Sequence, residues 1–176
     1  MLILAMDSTA VAASVALLTD GAPLAAFHLD NGNTHSETLL PMVQSVLRCT
    51  GKTVDDIDLF AVSAGPGSFT GVRIGVATVK GLAFGKGKPC VGVSTLEALA
   101  ENLVPTGGLL CPVMNARRGQ VYNALFRMEN GALTRLCPDR ALSVKELKAE
   151  LLTCSEPVTL CGDGAELVKN SFTKCP

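Results

Sequence analysis

Tryptophan is absent from this chain of 176 residues, tyrosine occurs once and histidine twice. With aromatics at 4%, the core has to be built from Leu, Val, Ala and Ile. Charge is sparse too: charged residues make up 18% of the chain and the net charge is −1. The largest basic clusters are the pair Arg117, Arg118 and the trio Lys80, Lys86, Lys88. That excludes a stand-alone nucleic-acid binder, which carries a basic stripe; if RNA is involved, a partner supplies most of the charge. No run approaches the ~20 apolar residues of a membrane span, and the start, MLILAMDST, lacks the basic segment of a signal peptide. The seven cysteines (49, 90, 111, 137, 154, 161, 175) are odd in number and contain no CxxC pair. Cys90 and Cys111 sit inside apolar runs and read as small buried hydrophobes. This is a reduced, cytoplasmic thiol set rather than a zinc or disulfide scaffold.

What is present is ample core material: 48% of the residues are hydrophobic, enough for one ordinary domain or two small lobes. Residues 2–7, 11–18 and 23–29 read as strands, joined by the tight stretch Asp7-Ser8-Thr9 and the hairpin signal Asp20-Gly21. THSETLLPMVQSVLRCTG has helical spacing, with Leu39, Val43, Val46 and Leu47 on one face and Gly51 as its stop. Pro41 lacks an N–H and fits only a first turn, so the regular helix should begin near Thr38 or bend there. Strand 59–63, a glycine loop, helix 70–85, strand 89–93 and helix 95–103 follow. VPTGG at 104–108 reads as a boundary, after which the order starts again. LLCPVMNA, GQVYNALFRM and ALTRLCP are three strands, the last pair joined by Asn130-Gly131. SVKELKAELL is a helix with a capping box formed by Ser143 and Glu146. VTLC is a strand and GDGAELVKN opens another helix. Two βββαβα units give an α/β protein with lobes at 1–104 and 109–176. The second ends before a fifth strand and closing helix, so it is expected to be truncated or to borrow those elements.

The glycine loop GPGSFTG, residues 65–71, is neither a Walker A motif nor the dinucleotide fingerprint, since its spacing is GxGxxxG. It sets backbone N–H groups at a helix N-terminus, which suits an anion, but by itself reads more simply as a tight strand-to-helix turn. The helix after it is apolar nearly all round and so is expected to be buried nearly all round. Gly71, Gly75, Thr78, Leu82 and Gly85 form one stripe, Val72, Val76, Val79 and Ala83 a second, and Ile74, Ala77, Gly81 and Phe84 a third. Interior glycines each sacrifice ~1 kcal/mol relative to Ala, which close helix contact would offset.

Asp7 closes an apolar strand; it could orient a metal or phosphate or simply form an Asx turn. His28 and His35 form no metal pair. His35 reads as a helix-entry residue rather than a base. No Ser-His-Asp or Cys-His set is readable.

MDST, HSETLLP, AGPGSFTGVRIGVATVKGLA, GVSTLEAL and NARRGQVY together resemble the bacterial TsaB (YeaZ), glycoprotease-like family. The match runs in order from Met1 to about Asn123 and more weakly to Cys161-Gly162. The resemblance implies the actin-like, sugar-kinase-like ATPase fold with ribonuclease H-like lobes. It implies a non-catalytic partner of a larger paralogue, TsaD, which transfers a threonylcarbamoyl group onto the adenosine beside the anticodon of tRNA. A TsaE-type ATPase joins that complex, and a homodimer is expected in isolation. The helices near 38–50 and from Thr70 would meet a partner's equivalent pair, with Leu39, Val43, Val46, Leu47, Gly71, Gly75, Thr78 and Leu82 at the seam. Asp7, Ser8, Thr9, Gly65 and Gly67 are the candidate nucleotide-binding positions. The chain alone is expected to need no cofactor, with ATP and magnesium acting on the complex.

The paralogue's metal-binding stretch resembles GVNHLEGH, whereas this chain has GVSTLEAL. Thr95 and Leu99 therefore stand where histidines would be, and neither can replace imidazole on iron or zinc. Relatives also read DARRGEVY where this chain has Asn115 and Gln120, which weakens a magnesium-phosphate role in the second lobe. The alternatives are a metal-dependent glycoprotease-like enzyme, an actin-like-fold ATPase or kinase, and a self-pairing structural protein.

Overall fold

The computed structural model describes residues 1–103 and 108–173, and divides them into two compact units, Met1–Val93 and Ser94–Pro176. The expected boundary at 104–108 falls largely on residues outside that description. The helix α3 (Thr95–Glu101) belongs to the second unit rather than the first, because it packs on strands of that unit.

In the first unit, β1 (Leu2–Asp7), β2 (Ala13–Thr19), β3 (Ala22–Leu29), β4 (Leu59–Ser63) and β5 (Cys90–Val93) form one sheet in the order β3-β2-β1-β4-β5. The first three pair antiparallel, and β4 and β5 run parallel to β1. Asp20 and Gly21 both take positive φ, which explains why that pair turns the β2–β3 hairpin. Alternate residues of β1 and β2 (Leu2, Leu4, Met6; Val15, Leu17) point to one face. Helices α1 (His35–Thr50) and α2 (Phe69–Phe84) cover that face and pack on each other. Cys90 differs from expectation: it lies on the edge strand β5 and is exposed.

Helix α1 starts one turn earlier than Pro41 suggests. The early turn is held by bonds from the Thr38 N–H and Oγ1 to the Thr34 carbonyl, and by His35 Nε2 on the Ala10 carbonyl at 2.8 Å. It ends at Gly51, which is left-handed at φ 65° and returns its N–H to the last turn.

The second unit repeats the same plan with interrupted strands. β6 (Gly108–Arg117) pairs antiparallel with both β7 (Gln120–Asn123) and β8 (Phe126–Glu129). The register is continuous, Val113 opposite Asn123 and Leu110 opposite Phe126. Two residues separate β7 from β8, too few to cross β6, so both run along one edge of it. The break falls at Ala124-Leu125, alongside Pro112, which has no N–H to give the ladder. β9 (Ala132–Arg135) and β10 (Arg140–Ser143) similarly divide the third strand, pairing with β8 and β7 in turn. β11 (Val158–Cys161) lies parallel to β6. Helices α4 (Val144–Leu151) and α5 (Ala165–Thr173) bring Leu147, Leu151 and Val168 onto Cys111, Val113 and Val121. The expected capping box of Ser143 and Glu146 is formed. Among the described residues the second unit has no counterpart of β5, and no helix is long and apolar enough to cross a membrane.

Candidate functional site

The end of β1 and the glycine loop meet, and backbone fills the space beside Gly67 and Gly71 while side chains fill it beside Gly75. Asp7 Oδ1 accepts from the Thr9 N–H at 2.8 Å and from Thr9 Oγ1 at 2.9 Å, a closed Asx turn. The Ser8 hydroxyl donates to the Gly71 carbonyl at 2.9 Å, and the Ser68 N–H donates to the Thr9 carbonyl at 2.7 Å. A Cβ on Gly67 would stand 2.6 Å from that same carbonyl. One on Gly71 would overlap the Ser8 carbonyl, and one on Gly75 would lie 2.6 Å from Ser8 Oγ and 3.3 Å from Val62. Gly65 is left-handed at φ 108° and precedes a cis bond to Pro66. What comes close to these glycines is therefore the unit's own Ser8-Thr9 turn.

The five nucleotide-site candidates are thus gathered at one place, but not all are available. Ser8 and Thr9 are buried with their hydroxyl protons committed, so neither can donate to a phosphate without breaking an internal bond. Asp7, with one oxygen held by Thr9, and the backbone at Gly65 and Gly67 are half-exposed.

The residues expected at the seam are instead turned into the unit. Leu39, Val43, Val46 and Leu47 lie in the core between α1 and the sheet, and Gly71 and Gly75 lie against Ser8. Leu82 packs on the same core, and Thr78 is half-buried with its hydroxyl on the Ile74 carbonyl. Helical spacing found the apolar faces, but the same spacing marks a core face and a partner face. The residues of α2 that do face outward are Phe69, Thr70, Arg73, Ala77, Lys80, Gly81 and Phe84, with Phe84 91% exposed. On α1 they include Leu40, Pro41, Gln44 and Arg48. Of the third stripe, Ala77, Gly81 and Phe84 are free, while Ile74 packs on the core.

The second unit carries the same device, unread in the sequence. The loop after β11, Gly162-Asp163-Gly164, docks on the end of β6 as the loop after β4 docks on β1. A Cβ on Gly162 would overlap the Val113 carbonyl, and one on Gly164 would stand 2.8 Å from Val113 Cγ1 and 2.9 Å from the Met114 backbone. Asp163 Oδ1 accepts from the Asn115 N–H at 3.0 Å, and Asn115 Oδ1 accepts from the Arg117 N–H at 2.8 Å. Asn115 thus shapes a turn, a role its amide fills as well as a carboxylate. The GDG after VTLC, mirroring the GPG after LFAVSA, was the available signal.

Thr95 is buried with its hydroxyl unpartnered, Leu99 is half-buried, and among the described residues no three of His, Cys, Asp and Glu gather where a metal could be held. Cys111, fully buried beside Asn123, has its thiol pushed up to about 12 by desolvation, against a smaller opposing pull from that amide.

A family model described as TsaD, tRNA N6-adenosine threonylcarbamoyltransferase, matches residues 30–159. The tRNA threonylcarbamoyladenosine biosynthesis protein TsaB of Bacillus subtilis is 36% identical over 169 residues, 96% of this chain and 74% of that protein. The TsaB protein of Escherichia coli is 44% identical over 134 residues, 74% of this chain, which spans 58% of that relative's length. Among solved structures, YeaZ from Pseudomonas aeruginosa superimposes with a TM-score of 0.82 at 27% identity, covering 100% of this chain and 82% of that one. Two units on one βββαβα plan, each strand end clasped by a glycine loop, agree with the actin-like fold, and the chain belongs to the TsaB (YeaZ) family.

Proposed function

We propose that the chain is a non-catalytic scaffold in the biosynthesis of threonylcarbamoyladenosine in tRNA, the process for which its TsaB relatives are named. In this reading it binds a TsaD-type paralogue that transfers the threonylcarbamoyl group onto the adenosine beside the anticodon. A TsaE-type ATPase joins the complex in the cytoplasm, and without the paralogue the chain pairs with its own copy. It needs no cofactor of its own; ATP and magnesium act on the complex.

The observation that carries this reading is the 36% identity to a TsaB protein along 96% of the chain. The outer surface of α1 and α2 gives the partner a place. Ala77 and Gly81 present almost no side chain there, and nothing stands within 4 Å of a Cβ built on Gly81. A partner helix can therefore approach closely, with Leu40 and Phe84 as apolar anchors on either side.

Reconstitution tests it. The chain and a TsaD-type protein should co-elute on size exclusion, and only the assembled complex should make the modified nucleoside from threonine, bicarbonate, ATP and tRNA. Turnover by the pure chain alone overturns the scaffold reading.

A further inference from the structure

The second unit has five arginines, and Arg127, Arg135 and Arg140 each hold a carboxylate, those of Glu129 and Glu156, Glu97 and Asp139, and Glu150. The other two are Arg117 and Arg118, consecutive at the tip of the β6–β7 hairpin. Both are exposed, and among the described residues neither guanidinium makes an ion pair or hydrogen bond.

Their backbone is unusual. Arg117 sits at φ 67°, Arg118 at φ 51° and Gly119 at φ 75°. Asn, Asp or Gly fill such positions at little cost, whereas a long side chain there is strained. Strain of this kind persists where the surroundings enforce it and marks a candidate functional site. Here the surroundings do enforce it. Asp163 holds the Asn115 N–H, Asn115 holds the Arg117 N–H, and the Gly119 carbonyl accepts from the Val144 N–H at 3.0 Å. The tip is thus clamped from β11 on one side and from the start of α4 on the other.

The charges around it are few. Lys145, exposed on the first turn of α4, adds a third cation. The carboxylates of Asp163 and Glu146 keep their charge but are bonded elsewhere, Asp163 to the Asn115 N–H and Glu146 to the Ser143 N–H and hydroxyl, and neither pairs with the two arginines. Two unneutralised guanidinium forks on a preorganised tip match phosphate oxygens, which accept from them in pairs. We propose that Arg117 and Arg118 are a phosphate-contact site for the backbone of the RNA substrate, within the assembled complex. This rests on the tRNA-modification reading above. It also fits the low overall basicity, since the pair contributes locally to a surface that a partner mainly supplies.

The test is the double variant Arg117→Gly, Arg118→Asn, whose residues suit the left-handed backbone, so folding is not at risk. Its melting temperature should equal or exceed that of the parent, and its capture of the TsaD-type partner should be unchanged. Binding of an unmodified tRNA transcript to the complex should fall roughly tenfold at about 50 mM salt, with the log–log salt slope reduced by about 2. A variant complex that binds the transcript with parental affinity and slope overturns this inference alone. Failure of the parental chain to form the complex overturns the underlying reading, and this inference with it.

Discussion

The backbone carbonyl of Ser8 fills the space where a Cβ on Gly71 would stand, while the Ser8 hydroxyl donates to the Gly71 carbonyl. Helix α2 is therefore seated on the end of β1 by main chain against main chain, and neither side can swing away. Gly71→Ala should overpack this seat at a cost of roughly 1–3 kcal/mol or more. For a chain of this size each kcal/mol lowers the melting temperature by about 2–4 °C. Melting should drop while light scattering shows the same association state. A variant that keeps its melting temperature but loses association would return Gly71 to an interface.

Much of this was legible in the sequence. The hairpin pairs Asp20-Gly21 and Asn130-Gly131 and the Ser143–Glu146 box stand where local rules place them, because each is settled within a few residues. The repeated unit was legible for the same reason, as a sequence of local patterns. The direction of a helix face was not. Leu39, Val43, Val46 and Leu47 have the spacing of any buried face, and only the tertiary fold says that the sheet, not a partner, covers them. Likewise Pro112 interrupts the pairing of its neighbour strand, an effect visible only once the register is known. Asp163 was missed because its partner, Asn115, is far along the chain.

The outward stripe of α2 separates folding from assembly. Gly81→Ala should stabilise the isolated chain by up to ~1 kcal/mol, since the position is a helix interior with open space around it. Gly81→Leu should be tolerated equally well by the fold but should block close approach of a partner helix. Co-elution with the TsaD-type protein should be retained by the first variant and lost by the second. Retention by both would remove this surface from the interface.

The α4 cap makes one contribution to stability depend on pH. Bonds from the Ser143 hydroxyl and N–H hold the Glu146 carboxyl below its ordinary value of 4.5. A lowered folded value means that the contribution is complete above about that pH and is lost as the pH falls through the folded value. Glu146→Gln removes the titrating group. The melting temperatures of parent and variant should therefore differ most near neutrality and converge as the pH drops below that value. A difference that stays constant down to pH about 3 would show that the carboxylate charge is not involved.

Thiol reactivity should sort by position in the fold. Cys49 lies exposed on α1 and Cys90 exposed on the edge strand β5, so a thiol reagent reaches both directly. Cys111 lies in β6 with no exposure, and its thiol is pushed up to about 12. Because the thiolate is the reacting form, desolvation and burial protect it together. Cys161 is protected in part: burial raises it, and its thiol donates to the Leu99 carbonyl at 3.7 Å. At pH about 8, where an ordinary exposed thiol is substantially ionised, mass spectrometry should find Cys49 and Cys90 modified first. Cys111 should stay unmodified until denaturant opens the second unit, and its labelling should then follow the unfolding transition. Native-state labelling of Cys111 as fast as Cys49 would mean that the strand opens locally, and that the core of the second unit is not closed around it.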